Sequence, residues 1–257
     1  MEKKLTKDIQ DYWDKRSETY SELNITELNG SRKNLWQAVL TDLIQEAFPD
    51  KKNDDIRILD IGTGPGFFSI LLKKCGYDVT GIDSSIEMLN HAKSNAGTYK
   101  DDIAFLQMDA DELSFKDESF DVVINRNVTW NLQNPEACYA EWKRVLKPGG
   151  RLFVFDANWY AYLFDDEKLQ EYEEDRENVK EEGLFDFNNV ENAEKMEQIA
   201  MTLPLSKENR PEWDESALLK CGFSAVSTDT EIWQNVWDRE EQINFGSTPM
   251  FLIQAVK

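Results

Sequence analysis

Residues Ile56 to Ile70 read I-R-I-L-D-I-G-T-G-P-G-F-F-S-I. A short apolar run ends in an acid, three alternating glycines follow, and the chain then turns apolar again, so a strand hands over to a helix through a tight turn. A side chain at Gly62, Gly64 or Gly66 would hold a ligand off the backbone and restrict positive φ angles, which is why glycine suits such a turn. The segment predicts a small-molecule cofactor cradle. Outward from it, the pattern gives a strand over Ile56–Ile61, a helix over Phe67–Cys75 closed by Gly76, and a second strand over Tyr77–Ile82. Those three elements form one βαβ unit.

A lone glycine pattern is weak, and its neighbours decide what it binds. Asp83 lies 17 residues beyond Gly66 at the end of the second apolar segment, where an acid meets ribose hydroxyls in a doubly wound sheet. An adenosine-containing ligand follows. A dinucleotide fingerprint would need a glycine where Phe67 stands, and Asp60 would face an anionic pyrophosphate unscreened. A ligand bearing a sulfonium and an α-amino group is attracted to the same carboxylate, so S-adenosylmethionine fits better than NAD. No G-K-[ST] follows the glycines, which removes the P-loop reading.

Strand and helix continue to alternate. Helical spacing over Leu5–Tyr20 and Leu35–Ile44 predicts two helices before the sheet. Ser84 and Glu87 have capping-box spacing at the start of the next helix. Strands are expected over Ile103–Met108 and Phe120–Asn125; Asn134 and Pro135 open a helix to Leu146; Lys147-Pro148-Gly149-Gly150 turns into a strand over Arg151–Phe155. From Asp165 to Glu182 the chain carries ten acidic residues against three basic ones, and 161–212 is expected to be a helical cap insertion. A helix over Asp214–Cys221 and strands near Phe223–Thr230 and Met250–Val256 complete the core. The expected division is 1–160 for the N-terminal helices and cofactor-binding core, 161–212 for the cap, and 213–257 for the completion of the sheet. The fold class is α/β, a Rossmann-like doubly wound, mostly parallel sheet.

The 257 residues are enough for a full core, and 40% hydrophobic content with eight Trp is globular in character. A net charge of -21 disfavours phosphate-backbone binding, so nucleic acid and anionic membranes are expected to be poor partners; the acidity reads first as a solubility-favouring surface, with steering of cationic substrates the lesser alternative. The start has no apolar leader and no stretch is long enough to span a bilayer, so a cytoplasmic protein is expected. Cys75, Cys138 and Cys221 are isolated, and with one histidine, His91, no metal site or Ser-His-Asp arrangement is expected.

Six ordered motifs carry a resemblance: Y-W-D-K-R-S-E-T-Y (Tyr12 to Tyr20), L-D-I-G-T-G-P-G (Leu59 to Gly66), G-I-D-S-S-I-E-M-L (Gly81 to Leu89), D-A-D-E-L-S-F (Asp109 to Phe115), F-D-V-V-I-N-R-N (Phe120 to Asn127) and V-L-K-P-G-G-R-L (Val145 to Leu152). Together they resemble class I S-adenosylmethionine-dependent methyltransferases of the small-molecule, ubiquinone-biosynthesis type. The resemblance covers roughly residues 12 to 160. It implies seven strands with a final hairpin placing one antiparallel. It also implies Asp60 and Gly62 near the methionine portion, Asp83 and the adjoining Ser84 at the ribose, Met88 at the adenine face, and Asp109 with Ala110 at the adenine edge. Tyr12, Arg16 and Tyr20 match a helix that covers the cofactor, and Asn125 and Arg126 match the loop beside the reacting methyl group.

Methyl transfer from a sulfonium is an in-line displacement, in which alignment and exclusion of water contribute most and a dedicated base is optional. Candidate substrate residues are Trp130, Asn158, Trp159 and Tyr160, placed at strand carboxyl ends and the start of the cap. Asp156 and Tyr160 are the candidates for a catalytic group; Trp233 and Trp237 either join an aromatic wall or pack the core. The expected activity is transfer to an N, O, S or C nucleophile of a small molecule by a monomer or homodimer, releasing S-adenosylhomocysteine. An RNA methyltransferase and a non-catalytic S-adenosylmethionine-binding regulator are the alternatives.

Overall fold

A computed structural model describes residues 2–189 and 191–257. Two helices come first, α1 (Glu2–Asn29) and α2 (Arg32–Ala47). The alternating core follows as β1 (Arg57–Ile61), α3 (Phe67–Lys74), β2 (Asp78–Asp83), α4 (Ile86–Asn95), β3 (Ala104–Gln107), β4 (Phe120–Arg126), α5 (Pro135–Val145) and β5 (Leu146–Asp156). Residues 161–212 hold α6 (Asp166–Glu182) and α7 (Ala193–Ala200). The chain ends with α8 (Glu212–Lys220), β6 (Ala225–Asp229), α9 (Trp233–Val236), α10 (Arg239–Asn244) and β7 (Phe251–Val256).

The seven strands lie in the order β3-β2-β1-β4-β5-β7-β6, and β7 runs antiparallel to both of its neighbours. Period-two alternation explains why both faces are covered: Ile58, Val122, Ile124, Phe153 and Phe155 point to one face, Leu59, Ile61, Val123, Leu152 and Val154 to the other. Trp36, Leu40 and Ile44 of α2 pack the first face with α3 and α4; Tyr139 and Trp142 of α5 and Leu218 of α8 pack the second. Strand order reverses between β1 and β4, which opens a crevice at their carboxyl ends.

Two local expectations change. Ser85, not Ser84, caps α4 and accepts from Met88 N at 3.1 Å, because Asp83 Oδ1 takes the Ser85 amide and carries the turn one residue further. The helices α9 and α10 are additional to the expected elements. Trp237 on this segment is buried in the core with Trp233 packed beside it, so both belong to packing rather than to an aromatic wall.

Candidate functional site

The glycine turn crosses the crevice directly after β1. Gly62, Gly64 and Gly66 have φ of 62, 53 and 94°, and a Cβ on Gly62 would lie 2.5 Å from Val128 Cγ2. Only glycine takes this path without strain. Two carboxylates fix it. Asp60, buried beneath the turn, accepts from Thr63 Oγ1 (2.6 Å), Ser69 Oγ (2.7 Å) and Ser69 N (3.0 Å). Asp83 accepts from Gly64 N and Ser85 N, each at 2.9 Å. Burial pushes both acids up to about 6, against the hydrogen bonds that favour their ionised forms.

A cavity of about 250 Å³ opens above the turn. Gly62, Gly64, Asp83, Ser84 and Met88 line one side; Tyr20, Asp109, Ala110 and Arg126 contribute to the rest. The helix α1 roofs it through a ladder of polar contacts. Gln10 Nε2 donates to Ser84 O (3.0 Å), Ser85 Oγ donates to Asp14 Oδ1 (2.5 Å), and Asn95 Nδ2 donates to Ser21 Oγ (3.0 Å). At its far end Glu27 accepts both terminal nitrogens of Arg126 at 3.0 Å, while the guanidinium sits 4.4 Å from the Phe67 ring centroid. A forked, stacked contact of this kind is specific to arginine.

A second cavity of about 190 Å³ adjoins the first, and Trp13, Tyr20 and Asn127 line both. Its walls include the expected Tyr12, Arg16, Trp130, Trp159 and Tyr160. They also include Tyr162, Tyr172, Phe187, Glu197 and Phe245, which sequence reasoning missed. Tyr162 and Tyr172 stack at 4.1 Å, and Tyr162 donates to Glu197 Oε1 at 2.8 Å. Burial raises the phenols of Tyr12, Tyr20 and Tyr160 above their ordinary range, so they remain protonated. Arg16 presents a buried Nε with no partner.

Asn127 stands at the junction in an unusual state. Its φ is 59°, its amide donates to Phe155 O (2.8 Å), and its own carbonyl accepts from Trp130 Nε1 (2.9 Å). Its side-chain Oδ1 is buried and has no partner. A left-handed, non-glycine residue with an orphaned acceptor, lining both cavities, makes Asn127 a candidate site residue. The only sequence signal was its place at the end of the F-D-V-V-I-N-R-N motif.

Five of the expected residues line neither cavity. Asp60 acts beneath the turn, and Gly66 backs onto Ala92 and Ile70. Asn125, fully buried, has both amide atoms unpartnered away from the cavities. Asn158 donates to Arg210 O at 2.9 Å. Asp156 is spent as an acceptor: Oδ1 takes Ala157 N (2.8 Å) and Trp159 Nε1 (3.0 Å), and Oδ2 takes Trp130 N (2.9 Å), Thr129 Oγ1 and Arg210 (3.3 Å). That geometry corrects its candidacy as a proton acceptor. The carboxylate instead fixes the segments that carry Trp130 and Trp159, and Arg210 links it to Asp214 (2.8 Å) on α8.

Residues 59–154 match the methyltransferase domain family. The demethylmenaquinone methyltransferase of Renibacterium salmoninarum is 39% identical over 98 residues, 38% of this chain and 40% of that protein. The ubiquinone biosynthesis O-methyltransferase of Coxiella burnetii is 30% identical over 109 residues, 42% of this chain and 47% of that one. The chain thus spans less than half the length of either relative. The YcgJ protein of Bacillus subtilis shares the fold, with a TM-score of 0.53 at 18% identity over 84% of this chain and 98% of its own. The matched region coincides with β1 through β5 and the glycine turn, and the chain therefore carries a class I S-adenosylmethionine-dependent methyltransferase domain, with S-adenosylmethionine as its cofactor, related over that core to menaquinone- and ubiquinone-biosynthesis methyltransferases.

Proposed function

We propose that this protein methylates a small molecule held in the second cavity, using S-adenosylmethionine held in the first. The carrying observation is that Trp13, Tyr20 and Asn127 line both cavities, which places a cofactor in one beside an acceptor in the other. The residues present fit the cofactor. Gly62 and Gly64 admit close approach of the methionine portion to the backbone, Asp83 offers carboxylate oxygens to the ribose hydroxyls, and Met88 faces the adenine with Asp109 and Ala110 at its edge. Arg16, the one Lys or Arg lining the second cavity among the described residues, offers its unpartnered Nε to the methionine carboxylate. Tyr12 and Tyr20, on the same face of α1, exclude water above it. Bound in this way, the sulfonium supplies an electrophilic methyl group and a neutral leaving group.

Asp60 contributes indirectly, by holding Thr63 and Ser69 and through them the turn. We assign residues 1–160 and 213–257 to the core and 161–212 to a cap that completes the second cavity through Tyr162, Tyr172 and Glu197. The net charge of -21 supports a small-molecule rather than an RNA acceptor. Among the described residues no helix is long and apolar enough to cross a membrane. Calorimetric titration with S-adenosylhomocysteine tests the reading: one saturable site is expected. Folded protein that binds none of it would overturn the assignment.

A further inference from the structure

Building on that reading of the two cavities, we infer that the acceptor is a small amine, methylated on nitrogen, whose N–H is taken by Asn127 Oδ1 and whose developing cation is held by aromatic faces. Three observations converge. The junction contains no carboxylate and no imidazole: Trp13, Tyr20 and Asn127 are its shared residues, and Asp156 is fully occupied elsewhere. A hydroxyl acceptor needs proton removal as it attacks, whereas a neutral amine attacks with its own lone pair. Asn127 supplies a buried, unpartnered acceptor at that junction, held by a left-handed backbone, and an amine N–H satisfies it.

The third observation is the wall chemistry. Trp130 and Tyr160 lie 5.0 Å apart, Trp13 lies 6.4 Å from Trp130, and the Tyr162–Tyr172 stack closes the far side with Glu197 bonded to it. With the Arg16 guanidinium, which also lines this cavity, committed to the methionine carboxylate, the aromatic faces and the one carboxylate attract a cation. In the transfer, the amine lone pair forms the N–C bond as the S–C electron pair returns to sulfur, and the positive charge moves from sulfur to nitrogen. The surplus N–H proton leaves to solvent after transfer. The charge therefore arrives among rings that stabilise it, and the surface charge of -21 enriches cations around the protein.

The test uses protein saturated with S-adenosylhomocysteine, whose own titration reports the first cavity independently. Three probes of one skeleton are then titrated: choline, N,N-dimethylaminoethanol, and the uncharged isostere 3,3-dimethyl-1-butanol. Both cations are expected to bind about tenfold more tightly than the isostere. Asn127→Gly keeps the positive φ and deletes the acceptor; it should weaken N,N-dimethylaminoethanol, which carries N–H, about fivefold and leave choline unchanged. Tyr160→Leu should weaken both cations and spare the isostere. Equal affinity for cation and isostere, no binding of any probe, or an Asn127→Gly effect equal for both cations each overturns the inference. Loss of S-adenosylhomocysteine binding in folded protein instead rejects the cofactor reading beneath it.

Discussion

Lowering the pH from 7.5 to 5.0 should weaken binding of S-adenosylhomocysteine about tenfold, with Asp83 as the titrating group. In the free protein burial lifts this carboxyl to about 6 even though Gly64 N and Ser85 N hydrogen-bond to it at 2.9 Å. With that value the group is about 97% ionised at pH 7.5 and about 10% ionised at pH 5.0. Ribose hydroxyls donate to the carboxylate, so the ligand binds the ionised form and must displace the proton at low pH. The ratio of ionised fractions gives the factor of about ten, with a limiting slope of one proton per ligand. Asp60 also lifts to about 6, but it lines neither cavity and should contribute little to this slope. Asp83→Asn removes the charge and should flatten the profile between pH 5 and 7.5. Its cost at pH 7.5 should be about 1.5–3 kcal/mol, roughly 10- to 150-fold in Kd, the range for hydrogen bonds to a charged group. Calorimetry at constant ionic strength, in two buffers of different ionisation enthalpy, measures both affinity and proton release. A flat wild-type profile, or an Asp83→Asn protein that keeps the slope, would refute the assignment of Asp83 to the ribose.

Asp60 and Asp83 also contribute to the pH dependence of the ligand-free fold, as does Glu241, whose carboxyl is lifted by burial to about 7. The folded values of the two aspartates lie above the ordinary 3.8, so the folded state binds more protons than the unfolded state, and stability is gained as pH falls through about 6 and lost as it rises. Between pH 7.5 and 5.0 the gain should be about 1.4 kcal/mol per aspartate, read as a higher urea midpoint at pH 5.0; a lower midpoint would contradict it. Asp121, held low by Lys147, Lys51 and the Arg57 amide against the effect of its burial, loses its contribution only below that window. Gly62→Ala should cost roughly 1–3 kcal/mol, from its φ of 62° and the clash with Val128, and should lower Tm by several degrees. Ligand binding should be lost with it; an unchanged Tm would show that the turn is not strained. Glu27→Gln leaves Arg126, 13% exposed, without its counter-charge and should destabilise by about 3 kcal/mol in urea unfolding. Arg126→Lys, with Glu27 intact, should also lower the urea midpoint, because a lysine cannot fork across two oxygens or stack on Phe67.

The core was legible because its signals are local. Glycines at 62, 64 and 66 demand positive φ, the apolar runs of β1, β4 and β5 have the continuity of strands buried on both faces, and Asn134-Pro135 marks a helix start that α5 obeys. The helices between β6 and β7 were not legible. The segment Trp233–Phe245 is short and broken, and its aromatics obey no single period because Trp237 is buried in the core while Phe245, packed against that core, also lines the second cavity. The capping error at Ser84 has the same character: an acid's choice of amide partner shifts a helix start by one residue, and composition does not encode that choice.

Asp156 and Asn127 show why the site was harder to read than the fold. Asp156 ends β5 and Asn127 follows β4, both at the carboxyl edge, and sequence placement favours the acid because carboxylates are the commoner catalytic groups. What separates them is satisfaction. Asp156 has accepted donors from Thr129, Trp130, Ala157, Trp159 and Arg210, and removing a proton from a substrate would require it to give some of them up. Asn127 has spent its backbone on Phe155 and Trp130 and kept its side-chain oxygen unpaired in a buried place, a cost the fold bears only if something fills it. The two are connected, since Asp156 holds the Trp130 amide and Trp130 in turn donates to the Asn127 carbonyl. On the proposed reading the acid acts through the indole, by fixing the backbone of the asparagine. A change at Asp156 should scatter that geometry without moving a catalytic pKa, whereas Asn127→Gly should leave the fold in place and remove only the acceptor.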